Sequence, residues 1–306
     1  MYFIKRLIEL IKEKQSVVCM GLDPRMDMEG EIPQYLINQL DTPNEIILEF
    51  NKILIDETHD LIPVVKPQIA FYEKYEAFNA LKETIKYAHK KDLLVILDSK
   101  RNDIGSTCEA YAYSMFKNYH ADACTINAYL GIDGIKPFLE YKERGVFVLA
   151  KTSNPSSNDF QNLFSIKLDN VSEESTEITT KQVILKRNYI QMSELINEWS
   201  KNLHQFYEFT NLGAVVGATY PNELNKIREL LKNSFILIPG YGAQGARAKD
   251  VKYGFKDNAL GGIVSSSRDI IYAYNKNNKF SQKDFQKAAR EKIMLMNQEI
   301  NSLIGL

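Results

Sequence analysis

Apolar residues along this chain follow two alternating rhythms. Short, nearly unbroken apolar runs occupy 17–22, 64–70, 93–97, 123–126, 146–150, 214–217, 235–238 and 262–264. A strand covered on both faces needs no polar side, so runs this short and continuous predict eight buried strands. Between them, apolar residues recur at helical spacing. Examples are Ile46, Phe50, Ile53 and Leu54, then Phe71, Phe78, Leu81, Ile85 and Ala88. Pro221 is placed for a first helical turn ahead of Leu224, Ile227 and Leu231. Ser281 and Asp284 have the spacing of a capping box ahead of Phe285, Ala289, Ile293, Met296 and Ile300. Alternation of strand and helix predicts right-handed parallel units, and eight of them predict a closed (β/α)8 TIM barrel, with an open doubly wound sheet as the alternative. Such a barrel takes about 250 residues. The 306 residues therefore read as a single domain, 1–306, with helical extensions at its N- and C-termini, and no linker or repeat divides it.

Two connections are too long for this scheme. Residues 24–44 follow the first strand and 154–191 follow the fifth, the latter carrying a polar run at 169–177. Loops of this length in a barrel are expected to be lids or disordered. The first fourteen residues mix both charges with apolar residues at helical spacing, as an amphipathic helix does and a secretory leader does not.

Composition narrows the class of partner. A net charge of -1 gives no global attraction to nucleic acid or to an anionic membrane, and no apolar run approaches the roughly 20 residues that span a bilayer. Cys19, Cys108 and Cys124 lack metal-ligand spacing; Cys19 and Cys124 lie in strand-like runs and read as small buried hydrophobes. A reducing, cytoplasmic setting fits them. His59, His89, His120 and His204 all fall in helical or helix-end segments, which argues against histidine acid–base chemistry and a histidine-bound metal.

The unusual polar residues collect where barrel enzymes keep their chemistry, at the C-terminal ends of strands. Asp23 ends the first strand, Lys66 interrupts the second, and the third runs into Asp98-Ser99-Lys100-Arg101-Asn102-Asp103. Asp98 and Lys100 are two apart on a strand, which predicts a shared face. Lys66, Asp98, Lys100 and Asp103 would then form an alternating, mutually compensating set that keeps a lysine protonated as a general acid. The plainer reading is a solvated strand end, and for Asp23 an Asp-Pro turn. A lysine inside an apolar strand is harder to explain that way. Three glycines within 240–245, followed by Arg268 after the eighth strand, predict a phosphate site, against the plainer reading of a flexible turn and a surface arginine.

These motifs together resemble the orotidine 5'-phosphate decarboxylase family, most of all its longer bacterial subgroup. The Asp98–Asp103 run matches its Asp-x-Lys-x-x-Asp signature, with Thr107 four residues further on. Gly21-Leu22-Asp23-Pro24, Val65-Lys66-Pro67, Thr152-Ser153-Asn154-Pro155, Pro239-Gly240-Tyr241-Gly242-Ala243-Gln244-Gly245 and Ser266-Ser267-Arg268 follow in the family's order, from residue 17 to about 270. The resemblance implies decarboxylation of orotidine 5'-monophosphate to uridine 5'-monophosphate without cofactor or metal. Lys100 would protonate C6, and Asp98 would face the substrate carboxylate. Lys66 and Asp103 would complete the charge network, with Asp103 and Thr107 reaching in from the other subunit of a homodimer. Asp23 would bind ribose, Ser153 the pyrimidine, and Gln244 and Arg268 the phosphate. Residues 163–192 look longer than the family usually has there and would help cover the pyrimidine. Two alternatives stay open: a Mg2+-dependent sugar-phosphate decarboxylase or synthase of the same superfamily, and an inactive nucleotide-binding barrel.

Overall fold

The computed structural model describes residues 1–166, 184–276 and 279–306. Among them, eight parallel strands close into a barrel: β1 (Val18–Leu22), β2 (Val64–Pro67), β3 (Leu94–Arg101), β4 (Ala123–Ile126), β5 (Gly145–Lys151), β6 (Leu212–Val216), β7 (Ile236–Pro239) and β8 (Gly262–Ser266), with β8 pairing back onto β1. Each predicted run overlaps one of these strands, and β3 runs four residues past its predicted end. The main departure is at 64–70, where the strand ends at Pro67 and a short helix, Ile69–Lys74, begins. Pro67 has no N–H to donate, and beyond it the pairing shrinks to an isolated bridge from Gln68 to Asp98.

The longer helices are α1 (Phe3–Lys14), α2 (Pro43–Thr58), α3 (Phe78–Lys90), α4 (Gly105–Tyr113), α5 (Asn188–Ser200), α6 (Pro221–Leu230) and α7 (Phe285–Ile304). The spacing of Phe71 with Phe78 suggests one helix, but the chain breaks between them. Glu76 takes a left-handed φ of 50°, and Phe78 is left exposed while Ala80, Leu81, Thr84, Ile85 and Ala88 form the buried face of α3. The reciprocal capping box expected at Ser281 is absent. Its hydroxyl accepts from the Lys283 N–H and donates to the Asp284 carboxylate, capping a short 3-10 turn (Gln282–Asp284) from which α7 continues. A full capping box occurs instead at Thr42 and Glu45, opening α2 inside the connection 24–44.

The amphipathic N-terminal helix does structural work at the far end of the barrel. The Phe3 N–H bonds the Glu143 carbonyl just before β5, Ile4 N–H bonds the Asn211 side chain just before β6, and Arg6 pairs with Asp92 just before β3. Phe3, Ile4, Leu7, Ile8, Leu10 and Ile11 are buried, so α1 closes the N-terminal end of the barrel. The apolar transfer that drives this is of order 1.5–3 kcal/mol per large side chain. Helix α7 is pinned outside by the bidentate Arg290–Asp60 pair and by Phe285 stacked 5.1 Å from Phe50. Among the described residues no helix is long and apolar enough to cross a membrane.

Beyond β5, a 3-10 turn (Pro155–Asp159) leads to Phe164–Ser165, which pairs antiparallel with Lys186–Arg187 just before α5. The polar run 169–177 lies outside the described residues.

Candidate active site

At the C-terminal end of the barrel the strands open into a cavity of about 440 Å³. Its floor is apolar, made by Leu149, Val215 and Leu237 from β5, β6 and β7. One wall carries charge. Lys66 at the end of β2 is 5% exposed and donates to Asp98 Oδ2 at 2.8 Å. Lys100 donates to the other carboxylate oxygen, Oδ1, at 2.5 Å. The pairing of neighbouring strands sets this up, since the backbone of Gln68 bridges to Asp98 directly beyond β2.

Burial alone would raise the Asp98 pKa, but Lys66 and Lys100 outweigh it and hold the carboxyl far below its usual range. Burial alone would likewise lower Lys66, and the Asp98 and Asp23 carboxylates more than reverse it. Both groups are therefore charged throughout the neutral range.

Asp98 and Lys100 share the cavity, but not through simple strand alternation. The β3–β4 register shifts between Leu97 and Arg101, and Lys100 has a left-handed φ of 49°. The cause of the bulge is Thr125 on β4. Its hydroxyl donates to Asp98 Oδ1 at 2.7 Å and accepts the Ser99 and Lys100 N–H groups at 3.0 and 3.1 Å. Thr125 thus holds carboxylate and lysine backbone together, and sequence reasoning missed it. Its signal was a lone hydroxyl in the apolar strand Ala123-Cys124-Thr125-Ile126.

Asp103 does not join this set within the chain. It lies past the end of β3, outside the cavity, where its carboxylate accepts the Ile104 N–H at 2.8 Å. Thr107 is exposed on α4, also away from the cavity. The alternating set of four charges is a set of three here, because the chain turns outward at Arg101 before Asp103 is reached. Asp23, Ser153, Gln244 and Arg268 all line the cavity. Asp23 Oδ1 is buried with no hydrogen-bond partner among the described residues, which leaves an open acceptor on a cavity-lining side chain.

The opposite wall is the glycine loop. Gly240, Gly242 and Gly245 have φ of 107°, 77° and 96°, which only glycine adopts at low cost. Two of these amides are taken up by the turn itself: Gly242 N–H bonds Ala246 O and Gly245 N–H bonds Gly242 O. An anion at this end would therefore be met by Gln244 and Arg268 rather than by those two glycine amides. Arg268 opens the short helix Arg268–Ile271, is exposed, and has no ion-pair partner among the described residues. None of the four histidines lines the cavity, and no cluster of three metal-ligating side chains occurs among the described residues. Cys19, Cys108 and Cys124 are free and buried, and burial pushes the Cys19 thiol up to about 12.

A model of the orotidine 5'-phosphate decarboxylase / HUMPS family matches residues 16–282. The chain is 39% identical over 326 aligned positions to orotidine 5'-phosphate decarboxylase of Caldicellulosiruptor saccharolyticus, covering 99% of each chain. It is 39% identical to the enzyme of that name from Petrotoga mobilis, covering 96% of each. Among solved structures it superposes on Leishmania donovani OMP decarboxylase with a TM-score of 0.76 at 29% identity, covering 100% of both chains.

Proposed function

The chain belongs to the orotidine 5'-phosphate decarboxylase / HUMPS family, and from that premise we propose that its cavity decarboxylates orotidine 5'-monophosphate (OMP) to uridine 5'-monophosphate (UMP) in pyrimidine biosynthesis. The observation that carries this reading is the Lys66–Asp98–Lys100 array on one wall, facing Gln244 and Arg268 on the other. A nucleoside monophosphate has its phosphate at one end and its base at the other, so it spans the two.

In this reading Arg268 and Gln244 grip the phosphate, Asp23 takes a ribose hydroxyl with its unpaired oxygen, and Ser153 bonds the pyrimidine edge. The C6 carboxylate lies against Asp98. The C6–carboxylate bond breaks, carbon dioxide departs, and the electron pair remains on C6 in the plane of the ring. Lys100 then transfers a proton to C6, forming UMP, and regains one from solvent. With no conjugated acceptor for that electron pair, stabilisation must come from fixed charge, which a lysine already ordered by Asp98 and Thr125 supplies without reorganisation. Removing the Lys100 ammonium would cost about 10²–10⁴-fold as a general acid alone.

A homodimer with shared sites completes the assignment. Asp103 and Thr107 miss their own cavity, and around them lie large exposed apolar side chains: Ile104 at 57%, Tyr129 at 78%, Leu130 at 45% and Ile132 at 40%. An isologous contact through this face would carry both polar residues into the partner's site. A cytoplasmic setting suits the three free thiols.

Loss of OMP absorbance, followed with and without EDTA, tests the activity. We expect turnover that survives exhaustive chelation. Turnover of a sugar phosphate restored only by Mg2+ would favour the metal-dependent branch of the superfamily, and no turnover of OMP would overturn the reading.

A further inference from the structure

Behind the cavity lies a lysine that the chemistry above does not use. Lys151, the last residue of β5, is fully buried, and no carboxylate lies within ion-pair distance among the described residues. A buried ammonium without an acid needs other compensation. Here Nζ donates to Ser157 Oγ at 2.6 Å and to Asn158 Oδ1 at 3.4 Å, and lies 4.3 Å from the centre of the Tyr220 ring. Burial pushes the Lys151 pKa down, with Glu223 opposing and Arg187 adding to the fall.

The partners of Lys151 belong to two loops that meet over the site. The loop after β5 carries Ser153 and Asn154, both lining the cavity; the loop after β6 carries Thr219 and Tyr220. Thr219 donates to the Ser153 carbonyl at 3.1 Å and the Tyr220 hydroxyl to the Asn154 carbonyl at 3.2 Å. Ser157 Oγ in turn lies 3.5 Å from the Tyr220 hydroxyl. The ammonium therefore ties down Ser157 and the Tyr220 ring, and through the Tyr220 hydroxyl the hydrogen bond that holds Asn154 in the wall beside Ser153. We propose that Lys151 is a positioning residue that fixes the base-binding loop through Tyr220 and Ser157, and so sets affinity for the pyrimidine rather than for the ribose phosphate. The proposal rests on the decarboxylase reading for the ligand that occupies this wall.

The test compares UMP with ribose 5-phosphate, which lacks the base, by calorimetric titration of wild type, Lys151→Met and Lys151→Arg, with OMP turnover measured alongside. Lys151→Met should weaken UMP and raise KM for OMP by about tenfold or more, as expected for losing charge-assisted bonds, while ribose 5-phosphate binding stays within about twofold. Lys151→Arg keeps a cation for the ring and donors for Ser157, and should recover most of the loss. If Lys151→Met fails to fold, Tyr220→Phe serves: it keeps the ring beneath the ammonium and deletes only the hydroxyl bonded to Asn154, and the same base-selective loss should appear in smaller size. Equal loss for both ligands, or unchanged UMP affinity in a folded variant, overturns the proposal. A wild-type chain that neither turns over OMP nor binds UMP overturns the functional reading and the proposal together, whereas a working wild type without the selective loss overturns the proposal alone.

Discussion

Asp98 is compensated by two lysines and a hydroxyl, so removing its charge strands Lys66 in an apolar strand end. Breaking a buried pair from one side costs about 3–5 kcal/mol, and Asp98→Asn should lose that much stability in urea titrations at neutral pH. The pH dependence has a definite sign. A carboxyl depressed by folding stabilises the protein above its unfolded value, about 3.9, and the contribution fades as pH falls below that. The gap between wild type and Asp98→Asn should therefore narrow below about pH 4; a gap that stays constant would mean Asp98 is not held ionised by folding. Lys100 offers a second test at this scale, since its left-handed backbone costs a residue with a Cβ about 1–2 kcal/mol. Of two inactive variants, Lys100→Gly should be more stable than Lys100→Ala by about 1 kcal/mol, reversing the usual order of the two residues. Equal stabilities, or alanine ahead, would mean the bulge relaxes when the lysine is gone.

At the scale of elements, close approach between the loop after β5 and the end of β6 depends on Gly217. A Cβ there would lie 2.7 Å from Ser153 Cα and 2.8 Å from its nitrogen, backbone atoms with nowhere to go. Gly217→Ala should cost about 1–3 kcal/mol in stability and raise KM for OMP, because Ser153 is pushed along with its loop. An unaltered KM would place Ser153 outside the binding wall. The strands were legible because a barrel strand is covered on both faces and shows as an unbroken apolar run. The face of α3 was only partly legible, since Phe71 and Phe78 keep helical spacing across a break that Glu76 makes with its backbone. The bulge in β3 was hidden for a related reason: it depends on a hydroxyl of the neighbouring strand, and a cross-strand hydrogen bond leaves no trace in spacing. Lys66, Asp98 and Lys100 could be picked out because charge at the end of an apolar run is costly and so conspicuous, whereas Asp23 by itself reads as an Asp-Pro turn and was marked by the family resemblance. Thr125 and Lys151 act through neighbours distant in sequence, and each alone looks ordinary.

For the whole molecule, the proposed dimer makes a quantitative claim. Mixing Lys100→Ala with Asp103→Asn under conditions that exchange subunits should restore activity to about a quarter of wild type, since half the dimers are mixed and each of those holds one intact site. A mixture as inactive as its components would return Asp103 to its own chain. The molecule also separates its two ends. The amino group of Met1 lies beside Glu143 ahead of β5, and Asn301 near the other terminus donates to the Gln15 carbonyl ahead of β1, so both ends of the chain gather at the closed end of the barrel. The mouth, with Lys100 and Arg268, opens at the opposite pole. A support, tag or fused domain attached through either terminus would therefore hang beneath the barrel, leaving the entrance facing solvent and the route of substrate and carbon dioxide unobstructed.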